Sequence, residues 1–131
     1  MKKLIKVVAA IIENENNEIL CALRSPIMSL PNMWEFPGGK VESGETLKEA
    51  IEREIKEELH CNVEFIDVFN DNTFEYDKFI VNLITIKCRI TSGTPTANEH
   101  SKLIWLHREN LLSLNWAPAD VNAVSLLLKE V

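Results

Sequence analysis

Apolar and polar residues follow two periodicities along the chain, which predict several strands and two helices. Short apolar or alternating runs between polar turns are typical of strands, whereas apolar residues three and four positions apart are typical of helices. By these criteria strands are predicted over residues 1–5, 7–12, 18–24, 63–70, 76–90 and 103–106. Helices are predicted after Thr46 and over residues 119–129. This mixture favours an α/β (α+β) fold in which helices cover a sheet.

The first predicted helix has a clear N-terminal signal and one apolar face. Thr46 and Glu49 fit the S/T-x-x-E pattern of a capping box, in which each side chain accepts from the other residue's backbone N–H. This helix is expected to pack on the sheet, with its carboxylates facing away from the core toward the preceding loop. The apolar face comprises Leu47, Ala50, Ile51, Ile55 and Leu59.

Three carboxylates share one face of this helix. Glu54, Glu57 and Glu58 stand at positions i, i+3 and i+4. Like charges at these spacings repel by roughly 0.2–0.5 kcal/mol per pair, which indicates a neighbouring cation. Carboxylate oxygens suit Mg²⁺, which keeps several waters and usually shares its coordination shell with substrate phosphates. A solvated acidic face is the alternative explanation for an isolated E-x-x-E-E pattern.

The residues around this acidic pattern distinguish the two explanations. The stretch fits G-x5-E-x7-R-E-U-x-E-E-x-G-U, in which U is apolar, and this is the Nudix box. The fitting residues are Gly39, Glu45, Arg53, Glu54, Ile55, Glu57, Glu58 and Cys61. The chain therefore resembles the Nudix hydrolase family, strongly over residues 34–61 and more loosely elsewhere. His60 stands where the box has its last glycine, which predicts a frayed helix end rather than altered chemistry.

The resemblance implies the Nudix fold, an α/β/α sandwich around a mixed β-sheet, and gives roles to residues of the box. Glu54, or a neighbouring carboxylate such as Glu57, would take a proton from the attacking water, and Arg53 would hold Glu54 in position. Lys40 would contact phosphate oxygens or orient a carboxylate. The implied metal is Mg²⁺, with Mn²⁺ as a substitute. Its ligands would be the backbone carbonyl of Gly38 and the side chains of Glu54, Glu57 and Glu58.

The resemblance extends to the MutT branch, whose members are nucleoside triphosphate pyrophosphohydrolases. Residues 34–40, Trp-Glu-Phe-Pro-Gly-Gly-Lys, look like the loop of that branch, and Arg24 falls where it has a phosphate-binding arginine. Glu99, six residues before Trp105, falls where MutT-like enzymes have a further metal-binding or base carboxylate. Taken alone, Glu99 would be an ordinary exposed acid. The implied activity is hydrolysis of a nucleoside triphosphate to the monophosphate and pyrophosphate, for nucleotide-pool sanitation.

Recognition of the base is assigned to the segment before the last helix. Residues 116–120, Trp-Ala-Pro-Ala-Asp, are similar to the bacterial CTP pyrophosphohydrolases, and MutT-like enzymes contact the base with an Asn or Asp at the position of Asp120. A carboxylate accepts from cytosine N4, but a guanine-type base also offers donors. Because the 8-oxo-dGTP enzyme of the MutT type carries Asn at this position, the resemblance favours CTP, dCTP or a modified dNTP, with 8-oxo-dGTP as the alternative. A helix N-cap is the alternative role of Asp120. Further candidates for base or phosphate contact, with core packing or solvation as alternatives, are Trp34, Phe36, Phe79 and Lys78.

Composition limits the partners and the compartment. The 131 residues suit a single domain over residues 1–131, and 46% hydrophobic and 26% charged residues are ordinary globular values. A formal net charge of −6 argues against a nucleic-acid polymer as partner, and no apolar segment is long enough to cross a membrane. Cys21, Cys61 and Cys88 form no paired motif, which favours the cytoplasm. A monomer or homodimer that acts on a small-molecule nucleotide is expected.

Two other functions stay open. A different Nudix hydrolase would act on ADP-ribose, a diadenosine polyphosphate or a capped RNA end. A catalytically silent Nudix domain would bind a nucleotide and regulate a partner, although such domains generally lose the box carboxylates that are present here. Three histidines, His60, His100 and His107, show no spacing typical of a metal cluster and are expected to be structural or surface residues.

Overall fold

The computed structural model describes residues 1–130 of the chain. In chain order its elements are β1 (Lys3–Ile12), β2 (Glu18–Leu23), β3 (Trp34–Glu35), β4 (Gly38–Lys40), α1 (Leu47–Leu59), β5 (Asn62–Glu75), β6 (Phe79–Ser92), β7 (Lys102–His107) and α2 (Val121–Leu128). Short 3-10 helices cover Arg108–Ser113 and Pro118–Asp120. None of the helices found in residues 1–130 combines the length and apolar character needed to span a membrane.

The strands form two sheets. A four-stranded mixed sheet has the order β4-β1-β6-β5, and a three-stranded antiparallel sheet has the order β3-β2-β7. In the larger sheet β1 is parallel to β6 along its whole length and antiparallel to β4, while β5 is antiparallel to β6. The short strand β4 therefore lies beside the second half of β1, where Gly39 pairs with Val8.

Alternate residues of β1 face two hydrophobic cores, one on each side of the sheet. Val8 and Ala10 belong to a cluster that includes the buried residues of α1. Ala9 and Ile11 belong to a second cluster that includes the buried residues of α2. Because successive strand residues point to opposite faces, β1 contributes to both cores at once. Helices on both faces of a mixed sheet make an α/β/α sandwich, and the predicted fold class is confirmed.

Helix α1 begins as the sequence predicts. Thr46 Oγ1 accepts from the Glu49 backbone N–H at 3.1 Å, and Glu49 Oε1 accepts from the Thr46 N–H at 2.9 Å, which completes the capping box. This arrangement satisfies two of the backbone donors that the first helical turn leaves without partners. The buried residues of the predicted apolar face are Ala50, Ile51, Ile55 and Leu59, and Leu47 packs against the same core while partly exposed.

Three predicted strand boundaries are wrong. Strand β5 continues to Glu75, five residues beyond its predicted end. Strand β6 begins at Phe79 rather than Tyr76, because the Tyr76 N–H donates to the Phe79 carbonyl at 2.8 Å and closes the turn after β5. Strand β1 is continuous rather than divided near residue 6. Lys6, which interrupts the apolar run, pairs with Asn82 of β6 like its neighbours. Pairing with a long partner strand thus overrides the local break in hydrophobicity.

The C-terminal end of α1 contains the residue that departs from the Nudix box. His60 has φ 57° and ψ 33°, in the left-handed region, and its backbone N–H donates to the Lys56 carbonyl at 3.1 Å. Glycine reaches this region freely, whereas a residue with a Cβ is disfavoured there by roughly 1–2 kcal/mol. The histidine therefore keeps the backbone conformation that a glycine would adopt, at an energetic cost.

Replacing His60 by glycine should stabilise the protein. We expect His60→Gly to raise the free energy of unfolding by about 0.5–1 kcal/mol, because it removes the left-handed strain but adds chain entropy to the unfolded state. Urea denaturation measures the difference. His60→Ala is the matched control, since alanine keeps the Cβ and should gain nothing. A glycine variant no more stable than the alanine variant would show that backbone strain at residue 60 is negligible.

Candidate active site

A cavity of about 810 Å³ lies where α1, β4, the turn after β5 and the segment before α2 approach one another. Its walls include the carboxylates of α1, the glycines of β4 and the apolar side chains of β1 and β6. Of the predicted site residues, eleven line this cavity: Arg24, Phe36, Gly38, Lys40, Arg53, Glu54, Glu57, Glu58, Phe79, Glu99 and Asp120. The fold thus brings together residues that are almost one hundred positions apart in sequence.

Arg53 is the centre of the charged part of this cavity. Its guanidinium donates to both carboxylate oxygens of Glu45, at 2.6 and 2.9 Å, and to Glu54 Oε2 at 2.9 Å. It also donates to Glu57 Oε2 at 3.2 Å and to the Lys40 backbone carbonyl at 3.0 Å. These bonds hold the pKa of Glu45 down at about 2, chiefly through the hydrogen bond from Arg53. The planar, permanently charged guanidinium suits such a set of acceptors.

The glycines of β4 allow the main chain to lie between β1 and α1. A Cβ at Gly38 would stand 2.0 Å from the backbone carbonyl oxygen of Val8, which cannot move without breaking the β1–β4 pairing. A Cβ at Gly39 would stand 2.3 Å from Glu54 Oε1. The Glu54 carboxylate therefore occupies the space that a side chain at position 39 would need. Gly38 is required by its close approach to backbone, whereas a side chain at position 39 would displace the flexible Glu54 carboxylate.

Burial raises the pKa of two carboxyls on α1. For Glu54 the largest cause is desolvation, which outweighs the opposing hydrogen bond from Arg53. For Glu58 desolvation again comes first, followed by the negative charge of Glu99. Both shifts mean that the ionised carboxylates lack enough nearby positive charge. A divalent cation would supply that charge, and hard oxygen donors are the ligands that Mg²⁺ prefers.

The carboxylates surround the cavity without forming a closed cage. Among residues 1–130, no three acidic, histidine or cysteine side chains converge closely enough to hold an ion by themselves. Mg²⁺ seldom needs such a cage, because it retains waters and takes phosphate oxygens from the substrate. Arg53 also draws Glu54 and Glu57 toward itself. The donor set therefore fits a hydrated divalent ion that is completed by substrate.

A second set of polar contacts in the cavity includes two residues that were not predicted as site residues, Glu35 and His100. Glu35 Oε1 accepts from Arg24 Nη1 at 2.7 Å, and Glu35 Oε2 lies 2.7 Å from His100 Nε2. Arg24 also donates to the carbonyl and hydroxyl of Ser29. The side chain of His100 is only 2% exposed, and the residue lines the cavity beside Glu99. The position of Glu35 within the 34–40 motif was the available signal, whereas His100 had none.

Asp120 stands at the N-cap position of α2, which begins at Val121, but its side chain makes no hydrogen bond to the first turn. The alternative role, in which this carboxylate satisfies free backbone donors of the helix, is therefore wrong. Instead Asp120 Oδ2 accepts from the Phe36 backbone N–H at 3.0 Å. The residue is buried, and desolvation, followed by the charge of Glu35, raises the pKa of Asp120 to about 8. Its other oxygen, Oδ1, makes no hydrogen bond with residues 1–130.

The aromatic candidates divide between core and cavity. Phe36 packs its ring against Trp116 with 4.8 Å between centroids and is 2% exposed, so most of its ring belongs to the second core. Trp34 packs against the same core. Phe79 lines the cavity together with Tyr76, whose ring centroid is 5.2 Å away.

Lys78 lies outside the cavity that the other candidates share. Its side chain is exposed in the turn after β5, and it does not belong to the cavity lining within residues 1–130. The next residue, Phe79, lines the cavity, whereas Lys78 faces solvent. The structure therefore gives no support to the predicted contact between Lys78 and the substrate.

Comparison with known proteins agrees with the class that the fold and site define. The sequence matches the NUDIX domain family over residues 3–127. The chain therefore belongs to the Nudix family, and it is a Nudix hydrolase. Enzymes of this family generally need divalent metal ions.

Individual relatives and a solved structure show which members of the family the chain resembles. Over 119 residues the chain is 37% identical to a CTP pyrophosphohydrolase of Escherichia coli (strain K12), which covers 91% of this chain and 87% of that protein. It is 32% identical over 127 residues to an 8-oxo-dGTP diphosphatase of the same organism, with 97% and 98% covered. The solution structure of a DNA mismatch repair protein MutT from methicillin-resistant Staphylococcus aureus 252 is 51% identical over the full length of both chains, with a TM-score of 0.81.

Replacing Asp120 by asparagine should change how stability depends on pH. The pKa of Asp120 is about 8 in the folded chain and about 4 for an unfolded chain. Between these values the folded state binds more protons, so the Asp120 contribution makes wild-type stability fall as pH rises. Asparagine keeps an acceptor for the Phe36 N–H but does not titrate. The stability of Asp120→Asn relative to wild type should therefore increase between about pH 5 and about pH 8.

Urea denaturation at several pH values tests this expectation. Asp67→Asn on the exposed side of β5 is the control, and its stability difference from wild type should vary far less over the same range. A constant difference between Asp120→Asn and wild type would contradict the raised pKa of the buried carboxyl.

Proposed function

We propose that the protein hydrolyses a nucleoside triphosphate to the monophosphate and pyrophosphate, with Mg²⁺ as the metal and Mn²⁺ as a substitute. The observation that carries the proposal is that one cavity contains both the acidic face of α1 and the buried carboxyl of Asp120. The first group suits a metal-bound phosphate chain, and the second suits the polar edge of a base. Relatives that carry the names CTP pyrophosphohydrolase and 8-oxo-dGTP diphosphatase support the same substrate class.

The box residues have distinct roles in this reaction. The Gly38 carbonyl, Glu54, Glu57 and Glu58, with Glu99 from the neighbouring loop, would hold the metal ion. When bound, this ion would neutralise phosphate charge and lower the pKa of water. Glu54 accepts the proton of the attacking water, and its desolvated position makes it a stronger base than an exposed glutamate. Arg53 orients Glu54 through the 2.9 Å contact.

The bond changes follow the MutT pattern. The water oxygen joins the β-phosphorus, and the bond from that phosphorus to the bridging oxygen of the nucleoside monophosphate breaks. The water proton passes to a carboxylate of the acidic helix. Lys40 and Arg24 line the cavity and would contact phosphate oxygens. Arg24 uses three of its nitrogens for Ser29 and Glu35, which leaves N–H groups on its two terminal nitrogens for a phosphate.

Asp120 and Phe36 would contact the base. A neutral carboxyl can donate and accept at once, whereas an ionised one only accepts. The cytosine edge presents the N4 amino donor beside the N3 acceptor, which such a carboxyl complements. Nucleotides of cytosine, CTP and dCTP or their modified forms, are therefore the first candidates. The 8-oxo-dGTP diphosphatase activity is the second, because oxidised guanine also pairs an acceptor with a donor and relatives of that name cover 97% of the chain.

The proposal also covers the domain organisation, the compartment, the oligomeric state and the type of substrate. Residues 1–131 act as one domain in the cytoplasm, as a monomer or homodimer, and the reaction removes unwanted nucleotides from the pool. The substrate is a free nucleotide rather than a nucleic-acid polymer, because a net charge of −6 offers no basic surface for a phosphate backbone.

Removing the proposed base should abolish most turnover and spare binding. We expect Glu54→Gln to lower kcat by two or more orders of magnitude, roughly the size of a general-base contribution, with a much smaller change in KM. Pyrophosphate release with Mg²⁺ measures both constants. Glu52→Gln is the matched control on the same helix, since Glu52 pairs with Lys48 and lies outside the cavity lining. A Glu54→Gln variant with the wild-type rate would contradict the assignment of Glu54 as the general base.

A substrate panel decides which nucleotide is used. Pyrophosphate release should be fastest for one subset of the common NTPs and dNTPs, 5-methyl-dCTP, 5-hydroxy-dCTP and 8-oxo-dGTP. Preference for the cytosine set supports the first candidate, and preference for 8-oxo-dGTP supports the second. ADP-ribose and diadenosine tetraphosphate are followed by product chromatography. Hydrolysis of either of these two compounds, with no measurable hydrolysis of any triphosphate, would overturn the proposal.

A further inference from the structure

The segment before α2 is held by two side chains, one from β5 and one from the turn that follows it. The backbone N–H of Ala119 donates to the hydroxyl of Tyr76 in that turn at 3.0 Å. The backbone carbonyl of Ala119 accepts from Asn72 Nδ2 of β5 at 3.3 Å. Both polar backbone groups of one buried residue thus have side-chain partners from neighbouring positions of one hairpin, and that residue immediately precedes Asp120.

The same segment is held from β3 by the main chain. The Trp34 N–H donates to the Asn115 carbonyl at 2.9 Å, and the Ala117 N–H donates to the Trp34 carbonyl at 2.8 Å. The Phe36 N–H then donates to Asp120 Oδ2 at 3.0 Å. Residues 115–120 are therefore held on both sides, and the contacts of Asn72 and Tyr76 are the ones that side-chain substitution can remove without changing Asp120 itself.

These contacts fix the position of the Asp120 carboxyl. Burying a carboxyl with one hydrogen bond is unfavourable, so Asp120 is not explained by stability alone. Pro118 lacks an N–H, and the 3-10 turn it begins is too short to fix a side chain by itself. The direction of Oδ1, which has no partner in residues 1–130, therefore depends on where Ala119 is held.

We propose that Tyr76 and Asn72 are positioning residues for base discrimination, because they fix Ala119 and through it the Asp120 carboxyl. The inference rests on the proposed function in one respect, that Asp120 contacts a base. The Tyr76 hydroxyl is the essential group. Its ring packs independently against Phe74 and Phe79, with centroids 4.7 and 5.2 Å away. A phenylalanine at position 76 therefore keeps the packing and removes only the partner of the Ala119 N–H.

The test measures discrimination between bases without requiring turnover. The Kd values of CMP, dCMP, dGMP, 8-oxo-dGMP and AMP are obtained by titration calorimetry for wild type, Tyr76→Phe and Asn72→Ala. The quantity compared is the ratio of the weakest to the tightest Kd. Each variant should lower this ratio by about fivefold or more, on the scale of one misplaced hydrogen bond, through weaker binding of the preferred base.

Asn70→Ala is the matched control. Asn70 lies on the same strand and also contacts the C-terminal region, but its side chain bonds to Asn122 at 2.7 Å rather than to Ala119. This variant should keep the wild-type ratio within about twofold. A merely structural role for Tyr76 and Asn72 would weaken every monophosphate equally and leave the ratio unchanged, and that result overturns the proposal. If Tyr76→Phe fails to fold, Asn72→Ala decides.

Two further outcomes separate this proposal from the proposed function. A wild type whose Kd values do not depend on the base overturns the positioning role, since there is no discrimination to set. A wild type that discriminates bases but releases pyrophosphate from no triphosphate overturns the proposed reaction alone. In that second case the Kd ratios of Tyr76→Phe and Asn72→Ala still decide whether these two side chains set base discrimination through Ala119.

Discussion

The arrangement of the candidate active site depends on the hydrogen bonds of the Arg53 guanidinium. This group joins the loop carboxylate of Glu45, the helix carboxylate of Glu54 and the Lys40 carbonyl at the end of β4. A single planar donor set thus fixes loop, strand and helix relative to one another. Gly39 completes the arrangement, because a Cβ there would occupy the place of the Glu54 carboxylate. The acidic face, the glycine strand and the arginine are therefore one structural unit.

The balance of charges in the cavity explains why a metal ion would be needed for a triphosphate to bind there. Both arginines of the cavity are already paired with protein carboxylates, Arg53 with Glu45 and Glu54, and Arg24 with Glu35. A triphosphate would add several negative charges to a space in which the pKa of Glu58 is already raised by burial and by a neighbouring acid. Protein cations alone could not offset that charge in a partly desolvated cavity. A divalent ion shared between carboxylates and phosphates resolves the conflict.

The fold and the box were predictable from sequence because they rest on local rules. Capping at Thr46, the apolar face of α1 and the sequence of the box are all written in consecutive residues. The other half of the cavity depends on contacts between distant segments. His100 lies 65 residues from Glu35 in the sequence and Tyr76 lies 43 residues from Ala119, so these contacts depend on the complete fold. No periodicity marks such residues, so His100 was expected to be structural, and Asp120 suited an N-cap equally well.

The two halves of the cavity also differ in how their side chains are held. The carboxylates of Glu54, Glu57 and Glu58 project from a regular helix, whose own hydrogen bonds fix their spacing. Asp120 projects from a short 3-10 turn, so its position must come from partners outside that turn. Those partners are the Phe36 N–H, just after β3, and the side chains of Asn72 on β5 and Tyr76 in the turn after β5. Base preference would then depend on Asn72, which lies outside the cavity lining, and on Tyr76, which is part of it, while the helix with the acidic face stays the same.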